Sequence, residues 1–269
     1  MFQQIALDDW KAGWRFTADD LPPETAAAPD LDDRAWERIT LPHCAHIEPE
    51  ICTAKNHWLG RCWYRLPIAA NPAWADKVVW LEFDGAMQKA ECFLDGRYLF
   101  THRGGFQRFL VPLTQKLDSG RTSVLAVRLD NRPSDDAPPG TPLDALDFCY
   151  YSGLYRSARL TVKEKLHITD PLEVSVEGGG GIFLRTLAIE PDRATLSCHV
   201  HILRQVFGNE VWNLPQKADE HYPVKLRIEM FDPDGNAASA PVEYATSIRP
   251  NCDETYAGEI RVPAPKLWH

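Results

Sequence analysis

The sequence predicts an all-β fold, and three observations carry that prediction. Apolar and polar residues alternate with period two along much of the chain, and no long stretch has the spacing of an amphipathic helix. The run "AECFLDGRYLF" sets Asp95-Gly96 between two apolar segments, the pattern of a tight hairpin turn with positive φ. The 21 prolines fall mostly between the alternating runs, where loops tolerate a residue without an N–H.

The elements follow in chain order. In "CWYRLPI", Cys62, Tyr64, Leu66 and Ile68 share one face of a strand. In "KVVWLEFDG", Val79, Leu81 and Phe83 oppose Val78, Trp80 and Glu82. "SVLAVRLDN" and "LYRSARLTV" continue the pattern, and "DDRAWER" around Trp36 reads as a short, weakly helical stretch. Beyond about residue 165, "GIFLRTLAIE", "ATLSCHVHIL", "YPVKLRIEMF" and "ETYAGEIRVPAP" are separated by glycine- and proline-bearing turns, as in a small β-sandwich. The chain is therefore divided into 1–165 and 166–269.

Composition narrows the function. Of 269 residues, 44% are hydrophobic, enough to bury a sizeable core. A formal charge of −9 repels phosphate backbones and anionic lipid, so neither nucleic acid nor a membrane surface is expected as partner. No apolar run approaches the roughly 18 residues needed to cross a bilayer, and "MFQQIALDDWKAGWRF" lacks the pattern of an export signal. Seven cysteines without paired spacing, three of them (Cys62, Cys92 and Cys198) inside strand-like runs, suit a reducing cytoplasm.

Several segments invite a functional reading. The loop 131–147, "NRPSDDAPPGTPLDALD", is long, acidic and rich in proline, and runs into the aromatic cluster "DFCYYSGLYRSARL". Asp147 stands at that junction, where an aspartate either caps the following turn or presents a carboxylate to a ligand. Tyr150 and Tyr151 either line the same wall or pack internally, and Arg156 suits an ion pair that anchors the loop. Trp63 and Trp80 suit a sandwich core, whereas Trp58 in "KNHWLG" suits an exposed platform on which a sugar ring can stack. "HCAH" at 43–46 has too few neighbours with ligand spacing for a zinc site, and His199 and His201 suit a solvated strand face. No cofactor motif is present: the glycine run 178–181 lacks the following helix and Lys-Ser/Thr of a nucleotide loop.

Taken in order, "LPH" at 41–43, "GRCWYRLPI", "VWLEFDGAMQKAECFLDGRYLFTHRGGFQRFLVPLT", "LAVRLDNRPSDDAPPG" and "LDFCYYSGLYRSARL" resemble glycoside hydrolase family 2, which includes β-galactosidases, β-glucuronidases and β-mannosidases. "APKLWH" is similar to the Pro-x-Leu-Trp near the end of that family's immunoglobulin-like domain. The resemblance implies a jelly-roll domain of the sugar-binding type, then an immunoglobulin-like sandwich lacking its last strands. It further implies a catalytic TIM barrel that this chain lacks and that supplies both catalytic carboxylates, so no catalytic residue is nominated here. Asp147 matches the aspartate that reaches from the jelly roll to a sugar hydroxyl in the family's β-galactosidases. The expected partners are a β-galactoside or related β-glycoside, the barrel, and further copies of the same protein. A free-standing carbohydrate-binding module and a purely structural domain are the competing readings.

Overall fold

The computed structural model describes residues 2–10, 13–47, 58–137, 151–174, 179–207 and 220–266. It is an all-β molecule that divides into two compact units, Met1–Glu164 and Lys165–His269.

The first unit is a jelly-roll sandwich of two antiparallel sheets. One holds β1 (Gln3–Ala6), β10 (Ala158–Lys163), β5 (Val78–Phe83) and β8 (Phe109–Pro112), in that order. The other runs β3 (Glu37–Ile39), β2 (Trp14–Thr17), β4 (Arg61–Ala69), β9 (Thr122–Asp130), β6 (Lys89–Leu94), β7 (Arg97–Arg103). The period-two pattern determines which side chains meet between the sheets. Cys62, Tyr64, Leu66 and Ile68 of β4 and Val79, Leu81 and Phe83 of β5 enter one buried cluster. On the outer face of β4, Trp63 is fully buried against Ala26, Ala27 and Phe93, and its indole N–H donates to the Leu21 carbonyl at 3.0 Å. The Asp95-Gly96 hairpin joins β6 to β7 with φ of 49° and 78°, and the Asp95 carboxylate accepts the Val124 N–H at 2.7 Å.

Three expectations need correction. "DDRAWER" forms a turn, closed by the Trp36 N–H on the Asp33 carbonyl, and then strand β3. Pairing with β2 overrides its weak helical preference, and the short α-helix described lies instead at Pro23–Ala26, with proline at its first position. Trp80 lies on the outer face of β5 and is only partly buried, because the core side of that strand is taken by Val79, Leu81 and Phe83. His201 is buried rather than solvated. Its Nδ1 meets the Thr169 hydroxyl at 2.9 Å and its Nε2 the Asp253 carboxylate at 3.0 Å, while His199 remains exposed.

The second unit is the immunoglobulin-like sandwich. Its long central strand β13 (Arg193–Arg204) pairs with β11 (Leu166–Ile168) and β12 (Ile182–Ile189) on one side and with β16 (Cys252–Pro263) on the other. β14 (Tyr222–Ile228) and β15 (Val242–Ile248) form a second, two-stranded sheet. Between them lie Cys198, Val200, Ile202, Val224, Ile248 and Ile260. β12 differs from the other long strands: every residue along it is exposed, including Ile182, Phe183, Leu184, Leu187 and Ile189.

Candidate functional site

Residues 151–157 organise one end of the jelly roll. Gly153 has a φ of +112°, and a Cβ there would lie 2.6 Å from the His43 carbonyl and 2.7 Å from the Tyr64 hydroxyl. Only glycine fits both the backbone conformation and the space. The close approach lets 152–154 run beside the 43–45 segment, with His43 N–H donating to the Leu154 carbonyl at 2.8 Å and Ala45 N–H to that of Ser152 at 3.0 Å. From the other side, Met87 N–H donates to the Gly153 carbonyl at 3.1 Å. "LPH" and "SGL", over 100 residues apart in sequence, are thus one structure.

His43 is half buried. Its ring tilts against Phe16 with centroids 4.7 Å apart, and Nδ1 lies 2.9 Å from the Tyr64 hydroxyl. Burial lowers the imidazole pKa, and the charge of Glu37 offsets part of that shift. Tyr155 donates its hydroxyl to the Gly105 carbonyl at 2.5 Å, and the exposed Arg156 guanidinium lies over the Tyr155 ring at 5.4 Å. Pro42, Asp84, Arg108, Tyr155, Arg156 and Ser157 border a cleft of about 390 Å³.

Asp147 and Tyr150 lie outside the described residues. Tyr151 is exposed at 36%, next to the buried Ser152. Trp58 is half buried: it packs on the sandwich core, and its ring lies so near Gly60 that a Cβ there would stand 2.6 Å from it.

The structure also brings in residues that sequence reasoning missed. Asn131, fully buried at the end of β9, accepts the Gly60 N–H at 2.8 Å and donates to the Trp58 carbonyl at 2.7 Å, so it fastens the segment that carries the indole. Gln88 is buried with its amide N–H on the Arg132 carbonyl at 2.8 Å and its Oε1 without a partner among the described residues. Asp130 receives Arg61 at 3.0 Å and Arg132 at 2.7 Å, and Asp136 receives Arg103 at 2.9 Å. These ion pairs anchor the beginning of the 131–147 loop around a cleft of about 400 Å³. An Asp-Asn dipeptide at a strand end was the available signal for Asn131; nothing local marks Gln88.

The described cysteines Cys44, Cys62, Cys92, Cys198 and Cys252 are free thiols. Burial pushes Cys92 up to about 12 and raises Cys62 as well, so both are inert core residues. Among the described residues no group of three His, Cys, Asp or Glu side chains converges on a metal-sized centre, and no helix is long and apolar enough to cross a membrane.

No family model matches the chain. It is similar to a β-galactosidase of Thermoanaerobacter pseudethanolicus, with 26% identity over 97% of this chain and 31% of that protein. It spans about a third of the length of the curated relatives it matches. The fold matches a β-glucuronidase of Bacteroides uniformis with a TM-score of 0.78 and 24% identity, over all of this chain and 29% of that one. A β-glucuronidase described as coming from glycoside hydrolase family 2 gives 0.77 and 20%, over all of this chain and 27% of that one.

Proposed function

We infer that the chain is homologous to glycoside hydrolase family 2 enzymes, since it matches a β-galactosidase over 97% of its own length and 31% of that protein's, and a β-glucuronidase over 86% of its own length. From that premise we propose that it is the non-catalytic part of a retaining, β-galactosidase-like glycosidase. Its jelly roll completes the sugar pocket of a catalytic barrel, and its immunoglobulin-like sandwich serves as spacer and packing surface in an oligomer. The single observation behind this reading is that the match to such enzymes runs the length of the chain yet takes up under a third of theirs.

The chemistry fits that division of labour. A retaining glycosidase holds two carboxyl groups about 5–5.5 Å apart, one a nucleophile and the other an acid/base. The well-buried carboxylates described here serve structure: Glu82 meets Arg108 and Arg159, Glu173 meets His167. Asp147 is read as a substrate-positioning residue that accepts sugar hydroxyl hydrogens, with Tyr150 and Tyr151 beside it. What supports this is that both flanks of its loop are held firmly, by ion pairs before it and by the glycine-permitted junction at 152–154 after it. The five described cysteines, all free thiols, accord with a cytoplasmic setting.

The test is the Asp147→Ala variant of the complete enzyme. A charge-assisted hydrogen bond of about 1.5–3 kcal/mol predicts a roughly 10- to 100-fold fall in kcat/KM on a β-galactoside, with the fold intact by circular dichroism. Unchanged kcat/KM would reduce this chain to a structural role. The isolated polypeptide should not hydrolyse β-glycosides, and turnover by it would overturn the proposal outright.

A further inference from the structure

Strand β12 (Ile182–Ile189) is apolar on both faces and exposed along its whole length. Its partner β13 accounts for one edge only. The Gly181 carbonyl receives the His201 N–H at 2.8 Å, so in the alternating ladder Ile182, Leu184 and Thr186 direct their N–H and C=O groups away from β13. Among the described residues nothing meets those groups. Ile182 and Leu184 stand opposite Val200 and Cys198, two members of the buried cluster, yet remain 59% and 52% exposed. The core of this unit therefore ends at an open margin.

The other described margins of the unit are guarded. β16 carries the exposed Asp253, Glu259 and Arg261 and ends at Pro263. β14 carries Pro223, Lys225 and Arg227, and β15 carries Glu243, which pairs with both of those cations. Charges and prolines at a sheet edge oppose pairing with another chain. β12 has a single charge, Arg185, and no proline. A sheet that is apolar at one margin and charged at the other favours a closed pair over a growing fibre.

We propose that β12 pairs with β12 of a second copy, antiparallel about a two-fold axis at Leu184. That register sets Leu184 opposite itself and Ile182 opposite Thr186, which gives every outward N–H and C=O from 182 to 186 a partner. It also sets Phe183 opposite Arg185, so that a guanidinium meets a ring on each side of the axis. An axis at Arg185 would oppose two guanidinium groups directly. An axis at Phe183 would set Thr186 against Gly180, whose φ of +81° lies outside the strand range. The exposed surfaces from Ile182 to Leu187 offer on the order of 500 Å² per copy, about 1,000 Å² for the pair, the size at which a specific interface becomes stable. The pairing rests on the packing role given above to the immunoglobulin-like sandwich and supplies its contact surface.

Sedimentation velocity and equilibrium on the isolated chain, with circular dichroism as the folding control, test the pairing. The expected result is a monomer–dimer equilibrium with no larger species. Leu184→Lys, which places two ammonium groups on the axis, should raise the dissociation constant at least about tenfold. Leu184→Cys sets two thiols on Cα atoms about 5.5 Å apart, within disulfide range, and should form an interchain disulfide with oxidised glutathione. Ile189→Cys, comparably exposed but roughly 30 Å from its counterpart in this register, should crosslink no more than the wild type. Four results overturn the proposal: a chain that remains monomeric at submillimolar concentration, growth beyond the dimer, undiminished association of Leu184→Lys, or equal crosslinking at positions 184 and 189. Association that survives Leu184→Lys removes β12 but keeps the packing role, whereas a chain that never associates removes both. Neither outcome bears on Asp147, which turnover of the Asp147→Ala enzyme decides.

Discussion

Gly153 shows how much one missing side chain can decide. A methyl group there meets a carbonyl, a backbone N–H and a buried phenol at once, none of which has a flexible end to move away. Gly153→Ala should therefore lower the stability of the jelly roll by about 2–3 kcal/mol, read as a shift in the urea midpoint at unchanged slope. Glycines 120 and 235, also at positive φ, have open space around them, so alanine there carries only the backbone penalty and serves as the control. Trp58 makes the complementary point. The sequence marks it as a loop tryptophan suited to stacking, yet Asn131, 73 positions away, holds its carbonyl and the core takes much of its ring.

Among the elements, β5 and β12 are opposites. The outer face of β5 carries Glu82, only 4% exposed, which accepts hydrogen bonds from Arg108 and Arg159 at 2.9 Å each and from Thr161 at 3.2 Å. Burial raises its pKa, but the hydrogen bonds and charges of Arg159 and Arg108 outweigh that and leave it lowered. A carboxyl held below its unfolded value contributes stability above that value and loses it as pH falls through the folded one. Unfolding measured from pH 7 downward should show this loss below the ordinary glutamate range, and Glu82→Gln should flatten it. Strand β12 instead exposes five large apolar side chains along a sheet edge with no further partner among the described strands, a template for pairing with another chain. The isolated polypeptide is expected to associate with rising concentration in sedimentation velocity. A charge at the centre of the strand, Leu184→Lys, should reduce that association.

At the scale of the whole molecule, the two units differ in how much core they own. Among the described residues, twenty-seven buried ones form the main cluster of the first unit, against six in that of the second. Less apolar surface removed from water means less to offset chain entropy, so the second unit should melt first. Seven of the nine tryptophans lie in 1–164. Tryptophan fluorescence should accordingly report a later thermal transition than far-UV circular dichroism, and coincident curves would mean the two units unfold as one.

The sequence by itself determined most of the longer strands, the inward faces of β4 and β5 except at Trp80, the Asp95-Gly96 turn and the resemblance to family 2 glycosidases, because a period of two and a turn's φ are local properties. The same locality explains what it could not decide. That "LPH" would lie against "SGL", that Asn131 would secure Trp58, that His201 would be buried between Thr169 and Asp253, and that Arg38 would rest on Gly13 depend on partners from 25 to over 100 residues apart. Such pairings exist only once the sheets have closed and backbone from distant segments has come within hydrogen-bonding distance. Spacing along a chain carries no record of them.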